Sequence, residues 1–199
     1  MTSPDRLTAG RFLVLVYRMP ATPTAGRVAV WRNLKKIGAV YLQDSACVIP
    51  DTAALRRELS PILARIDAAA GRYHLLPVRS LPREEEEKLV SLFVEQTAGH
   101  YREIIENCEV NFVKEIEFEH FRENFTYEEA EEIRMDFEKI TTWFDRVQER
   151  DWFGAPNRED ALAWLRRCER LLEGFEEKVF EVIATDAAGE DATPPRGGG

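Results

Sequence analysis

The sequence predicts an α+β protein in which a ferredoxin-like split βαβ domain precedes an antiparallel, bundle-like helical domain. Over residues 11–80, apolar runs typical of strands alternate with amphipathic segments typical of helices, in the order β-α-β-(β)-α-β. Beyond Leu81-Pro82 the apolar residues recur at helical spacing and acidic residues become frequent. We place the two domains at residues 11–80 and 81–184. A flexible N-terminus (1–10) and a disordered tail (185–199) are expected to flank them.

The first strand is predicted over residues 11–18, where a continuous apolar run indicates a buried strand. Pro20 and Pro23 prevent helix, so the first helix should begin near Thr24, a suitable N-cap, and end at Gly38. Apolar residues of this helix recur every three positions and are expected to form its core stripe. They are Val28, Trp31, Leu34 and Ile37.

Residues 39–49 are apolar but interrupted by Asp44-Ser45, which predicts either two strands that share a tight turn or one bent strand. A second helix should follow over residues 53–70, capped by Asp51-Thr52, with Pro61 producing a kink or a second start. The last strand is expected over residues 73–78, at a sheet edge because it contains Pro77.

The second half of the chain is predicted to be helical. The acidic residues after Pro82 suit a helix N-terminus, and one long or two consecutive helices should extend to about Phe121. Between residues 110 and 118 the pattern also permits a strand. A capping box at residues 126–129 starts another long helix, and Asn157 is the expected cap of a last one. The bulky rings of residues 151–154 should plug a space between helices or form a partner site.

Composition excludes several classes of protein. No apolar run approaches the roughly 20 residues that cross a bilayer, and the first ten residues lack an apolar signal region, so we expect a cytoplasmic protein without membrane contact. Three widely spaced cysteines fit a reducing compartment better than a disulfide framework. Residues 1–80 carry 12 Lys and Arg against 5 Asp and Glu, and residues 81–199 carry 15 against 31. Either the basic half meets a polyanion, or it docks on the acidic half.

Five cations of the basic half are the candidate nucleic-acid-binding residues. They are Arg18, Arg27, Arg32, Lys35 and Lys36. Cations on one side of a small domain neutralise phosphates whatever the base sequence. The competing interpretation is a solvated helix face with Arg18 paired to the acidic half. No helix-turn-helix pattern supports base-specific readout.

The sequence offers no assembled active site. Trp31, Trp143, Trp152 and Trp164 could serve as stacking platforms, but helical spacing favours the core for Trp31 and Trp143. Cys47 and Cys168 are also expected in the core. Glu117-x-x-His120 has the spacing of a carboxylate-bundle metal ligand, but that site needs two such motifs. No nucleophile-elbow, phosphate-loop or dinucleotide motif is present. We therefore expect no catalytic residues, no metal and no cofactor.

Three stretches resemble the N-terminal domain of the ChrB family of chromate-resistance regulators: LVYRMP, RVAVWRNLKKIGAVYLQDSACVIPD and RDWFGAPNRED. The resemblance covers about residues 11–183 and implies a transcription regulator that binds DNA. Family regulators are longer and carry a C-terminal domain linked to chromate sensing, so the sensor is expected to be missing here.

The first eighty residues are also similar, more distantly, to the middle domain of PaaX-type repressors and to the small ferredoxin-like nucleases of CRISPR adaptation. In those nucleases an acidic residue after the first strand, in a YDxP-like segment, holds a metal ion. The matching segment here is Tyr17-Arg18-Met19-Pro20, and the cation Arg18 cannot ligate a divalent metal.

The favoured hypothesis is thus a chromate-resistance-type regulatory protein that binds DNA or RNA through its basic face. The alternative is a non-enzymatic interaction module, in which the sheet edge forms a homodimer and the acidic helices dock an unknown protein partner. A degenerate metal-dependent nuclease is the weakest hypothesis, because its metal-ligand position holds Arg18.

Overall fold

The computed structural model describes residues 12–21 and 24–191, with side chains described to residue 185. The predicted flexible segment 1–10 and residues 192–199 of the predicted tail lie outside this range. The chain divides into two compact units, one reaching Thr97 and including Arg150–Ala155, the other formed by Ala98–Glu149 and the residues from Pro156 onward. We term them the sheet unit and the helical unit. The sheet unit thus includes residues 81–97, which contain the first part of a long helix.

The sheet unit contains a four-stranded antiparallel sheet. Its strands are β1 (Phe12–Arg18), β2 (Val40–Gln43), β3 (Ala46–Pro50) and β4 (Arg72–Val78), with helix α1 (Thr24–Lys36) after β1 and helix α2 (Ala53–Ala68) after β3. The spatial order is β2-β3-β1-β4, so β1 is central and β4 lies at an edge, as its proline predicted. This is the ferredoxin-like arrangement, and the predicted α+β fold is confirmed.

Local signals in the sequence account for the ends of these elements. A turn at Asp44-Ser45 separates β2 from β3, so the alternative of one bent strand is wrong. Thr52 caps α2, where its Oγ1 accepts a hydrogen bond from the Leu55 N–H at 3.1 Å. Pro61 lies inside α2 without ending it. Gly38 follows α1 with a φ of 81°, in the left-handed conformation that favours glycine.

One face of the sheet packs against α1 and α2. Successive side chains of a strand point to opposite faces, and Leu13, Leu15 and Tyr17 of β1 lie on the helix-covered face. The other buried members of this cluster are Val30, Leu34, Ile37, Ala39, Cys47, Ile49, Leu55, Leu59, Ile62 and Ile66. Full burial of a large aliphatic side chain contributes about 1.5–3 kcal/mol, so this cluster is the main source of stability of the sheet unit.

The opposite face is covered in part by aromatic rings. Helix α3 (Arg83–Glu106) places Phe93 on Phe12 of β1, with ring centroids 6.1 Å apart. Trp152 and Phe153 add two further rings, at 5.8 and 5.4 Å from Phe93. The rings of residues 151–154 therefore pack against the sheet and α3, and the prediction that they plug a space between helices is wrong.

Helix α1 buries a different stripe from the predicted one. Val30, Leu34 and Ile37 are buried, whereas Trp31 is 48% exposed. A step of three residues falls about 60° short of a full helical turn, so a stripe built from such steps drifts around the helix. The prediction that Trp31 lies in the core is therefore wrong.

The helical unit begins with the second half of α3, which continues through a π-helical segment (Asn107–Phe112) into α4 (Val113–Phe121). The alternative of a strand over residues 110–118 is therefore wrong. Helix α5 (Tyr127–Gln148) starts at the predicted cap, where the Thr126 Oγ1 accepts a hydrogen bond from the Glu129 N–H at 3.3 Å. Helix α6 (Arg158–Asp191) starts directly after Asn157 and extends past residue 184, where the tail was predicted to begin.

Ring contacts and buried cysteines stabilise the helical unit. Tyr101 lies 5.6 Å from Phe144, and His120 contacts Phe175 edge to face at 5.5 Å, measured between ring centroids. Trp143 is only partly buried, whereas Cys108 and Cys168 are fully buried. None of the helices within residues 12–21 and 24–191 combines the length and the apolar character that crossing a bilayer requires.

Candidate nucleic-acid interface

The charged residues on the exposed surface of helix α1 are all cations. Four of the five predicted cations lie on this helix and all four are exposed, while Val30 and Leu34 anchor its other side in the core. The helix contains no Asp or Glu, so no carboxylate of α1 opposes them. We term this set the α1 cationic surface; its members are Arg27, Arg32, Lys35 and Lys36.

The spacing arranges these residues in two adjacent rows. Residues four apart are neighbours on a helix surface. Arg27, Trp31 and Lys35 form one row, with the indole between two cations. Arg32 and Lys36 form the second row. The sequence left Trp31 open between a stacking platform and a core residue, and its three-residue spacing favoured the core; the structure exposes it instead.

Lys35 is held in place by neutral partners. Its Nζ donates a hydrogen bond to the Gln96 Oε1 at 3.2 Å and lies 5.3 Å from the centre of the Tyr41 ring. Gln96 in turn donates to the Gly38 carbonyl at 3.4 Å. A neutral amide and an aromatic face orient the ammonium group without cancelling its charge. Lys35 is thus the most preorganised cation of this surface.

Arg150 adds a further cation beside the C-terminal end of α1. Its Nη1 donates hydrogen bonds to the carbonyl oxygens of Lys35 at 3.3 Å and Lys36 at 2.9 Å. Carbonyls in the last turn of a helix lack helical partners, and a cation there is favoured by the helix dipole. No pattern in the sequence indicates this contact, because Arg150 is far from α1 along the chain.

Most of the predicted cations have no acidic partner nearby. Within the described residues, no carboxylate lies at ion-pair distance from Arg27, Arg32 or Lys36, and the same holds for Arg18. The acidic residues that do form ion pairs mostly bind cations of their own helix, such as Lys88 with Glu84 and Glu85. The exposed charges of α1 therefore remain available for phosphate oxygens.

Arg18 lies apart from the α1 cationic surface. It ends β1, where strand alternation places it on the same face as Phe12 and Val14, opposite the face covered by α1 and α2. Its register partner on β4 is Arg72, also exposed. The structure thus brings four of the five predicted residues together on one helix and places the fifth in a separate arginine pair.

Buried sulfur and hydroxyl groups are present among the described residues of the sheet unit. Burial raises the pKa of Cys47 to about 12, so its thiol is protonated at neutral pH. The hydroxyl groups of Tyr17 and Tyr41 share a hydrogen bond of 2.8 Å, and burial raises the pKa of Tyr17. In the described part of the chain, no group of three or more His, Cys, Asp or Glu side chains is arranged to hold a metal ion.

A second exposed surface lies along the edge strand β4. Among the strands of the described residues, β4 is hydrogen-bonded to β1 alone, and Leu76 is 51% exposed. Val16, on the neighbouring strand, is 38% exposed and lies opposite His74. An open edge with apolar side chains can pair with another strand. It is the structural basis of the alternative interaction hypothesis.

Comparison with known proteins gives a family match and a relative. The family model described as "Protein ChrB, N-terminal" matches residues 27–186. Protein ChrB of Cupriavidus metallidurans is 28% identical over 86 residues, which is 43% of this chain and 26% of that protein. The aligned stretch thus represents about a quarter of the relative's length.

Proposed function

This chain belongs to the ChrB N-terminal family, and from that premise we propose that it is a regulatory protein of the chromate-resistance type that binds nucleic acid through the α1 cationic surface. The proposal assigns the protein a binding role and no catalytic residue. The ligand contacts would be made by the side chains of Arg27, Arg32, Lys35 and Lys36. Arg18 and Arg72, at the end of β1 and β4, would form a separate and weaker phosphate contact.

The observation that carries this proposal is the set of unpaired, exposed cations on a helix without acidic residues. Each phosphate neutralised by a cation releases condensed counterions, which makes binding favourable and dependent on salt. Lys35 needs little reordering on binding, because Gln96 and Tyr41 already orient it. Arg150 extends the positive potential to the C-terminal end of the helix.

The test is fluorescence anisotropy of the purified protein with labelled duplex DNA over a series of salt concentrations. Four phosphate contacts would give a slope of about −3.6 for log K against log salt. The double variant Arg32→Gln and Lys36→Gln removes two of the four contacts. We expect its slope to fall to about −1.8, with weaker binding at low salt.

A matched control uses α2 of the same unit. The double variant Arg57→Gln and Arg65→Gln removes the same amount of charge from exposed positions of that helix, and we expect it to bind as the wild type does. Equal binding by the α1 variant and the wild type would reject this surface as the site. Equal losses in both variants would indicate a general charge effect.

A second candidate function, an interaction module, is favoured by the exposed edge strand β4. Leu76 on this strand is 51% exposed, and Phe121 of the acidic helical unit is 85% exposed. In this hypothesis β4 pairs with β4 of a second copy, and the helical unit docks a protein partner. Light scattering after size exclusion would report a dimer, and Leu76→Lys should dissociate it. A monomer at all concentrations would reject the dimer.

A further inference from the structure

Trp31 is the tryptophan whose environment the fold does not explain. Trp143, Trp152 and Trp164 are all partly buried, and Trp31 is 48% exposed. Trp152 packs on Phe93, and the Arg167 guanidinium lies over the Trp164 ring at 4.8 Å. Among the residues that the structure describes, Trp31 makes neither a ring–ring contact nor a cation–ring contact. Exposure of so large an apolar ring costs stability, which suggests that it serves another purpose.

The position of Trp31 relative to the cations indicates what that purpose is. Arg27 and Lys35 stand four residues before and after it, so that the side chains of all three lie in one row. The ammonium group of Lys35 is fixed by Gln96. A phosphate bound by either cation would place its own or the neighbouring base within reach of the indole.

We propose that the α1 cationic surface binds nucleic acid with unpaired bases, with Trp31 as the residue on which a base stacks. This inference rests on the proposed function and specifies its ligand. In a duplex both faces of each base are covered by neighbouring base pairs, so a duplex can use only the cations of α1. A single strand can use the cations and the indole together, as proteins that bind single strands do with aromatic platforms. The preference follows from stacking and not from base identity, because every base has a π-face.

The experiment compares four proteins on three probes. The proteins are the wild type, Trp31→Ala, Trp31→Phe and the control Phe180→Ala, which removes another exposed ring, 74% exposed, from the helical unit. The probes are labelled oligothymidylate, oligouridylate and a duplex of the same length, measured by anisotropy at one low salt concentration. Circular dichroism spectra and thermal melts establish that each variant is folded.

We expect Trp31→Ala to weaken single-strand binding by about 5- to 150-fold, the range found when one stacking ring is removed. Duplex binding should be unchanged, and Trp31→Phe should keep most of the single-strand affinity because phenylalanine also stacks. Phe180→Ala should bind as the wild type does. Binding of either single-stranded probe supports the proposal, and the probe that the wild type binds more tightly identifies the ligand as DNA or RNA.

Two results would overturn the inference, and they differ in what they say of the proposed function. If Trp31→Ala leaves single-strand affinity unchanged, or lowers single-strand and duplex affinity equally, Trp31 is not a stacking platform, while binding through the cations stands. If the wild type binds none of the three probes at low salt, the inference and the proposed function both fail.

Discussion

The ring of Trp152 occupies the space directly beside Gly38, so that a Cβ placed on Gly38 would lie 2.7 Å from the Cη2 atom of that ring. Gly38 also has a φ of 81°, a conformation that side chains with a Cβ rarely adopt. This pair joins the end of α1 to the aromatic cluster on the other face of the sheet.

Gly38→Ala should therefore destabilise the sheet unit by about 1–3 kcal/mol, because the new methyl group both strains the backbone and displaces the indole. Urea unfolding followed by tryptophan fluorescence measures the loss. Gly26→Ala is the matched control: among the described residues its Cβ would meet only Met19 Cε, at an ordinary 3.7 Å. Since Gly26 lies in helix α1, the control should be stabilised by about 0.4–1 kcal/mol. If Gly38→Ala has the same free energy of unfolding as the wild type, the described packing of Trp152 against Gly38 is contradicted.

Asp151 fixes the loop that carries Trp152 and Phe153. Its buried Oδ1 accepts hydrogen bonds from the N–H groups of Gly154 at 3.0 Å and Ala155 at 2.8 Å. Asp151→Ala leaves both donors unpaired, and we expect a loss of about 1–3 kcal/mol in urea unfolding, with a weaker near-ultraviolet signal from the tryptophans. Asp151→Asn retains an oxygen acceptor and should recover part of the loss. If the two variants are equally destabilised, these two hydrogen bonds do not hold the loop.

Glu115 should make the helical unit less stable as pH rises. Although Glu115 is exposed, partial desolvation raises the pKa of its carboxyl group, and the nearby carboxylates Asp136, Glu119 and Glu132 raise it further. Because the folded state holds this proton more tightly than the unfolded state, the favourable contribution is complete at acidic pH. It is lost as pH rises from the ordinary pKa of glutamate through the raised value.

Glu115→Gln removes this effect. We expect a higher Tm than wild type at neutral pH and an equal Tm at acidic pH, where Glu115 is itself protonated. Melting curves over this pH range check the prediction. Glu117→Gln, on the same helix, serves as the control because Glu117 is not among the carboxylates that raise the Glu115 pKa. The same pH-dependent gain in both variants would mean that net charge, and not the local cluster, is responsible.

Much of the fold could be predicted from the sequence because its signals are local. The apolar run of β1, the prolines before α1 and the caps at Thr52 and Thr126 each act within a few residues. The choice between one strand and two at Asp44-Ser45 needed the structure, since the antiparallel pairing of β2 with β3 decides it. The loop at residues 151–154 was misplaced because its rings pack on residues far away in sequence.

The candidate site was predictable in composition but not in arrangement. The cations of α1 share a face because their three- and four-residue spacings put them on neighbouring rows of one helix, and these spacings can be read from the sequence. Arg18 is separated from them by the pleat of the sheet, which sends it to the opposite face. Trp31 was assigned to the core and not to a stacking role because a step of three residues resembles a core stripe over a short helix, although the buried residues follow the 3.6-residue period.

The return of Arg150–Ala155 to the sheet unit has a consequence for how the protein is made. The sheet unit consists of the chain up to Thr97 and of Arg150–Ala155, and residues 98–149 separate these two parts in sequence. On the ribosome, β1 to β4 are therefore synthesised before Trp152 and Phe153 exist to cover Phe12 and Phe93. Until those two residues are synthesised, the aromatic patch on the nascent sheet is uncovered. Transiently exposed apolar surface of this kind is prone to aggregation and is bound by chaperones. A fragment that stops near Thr97 would keep this patch exposed permanently.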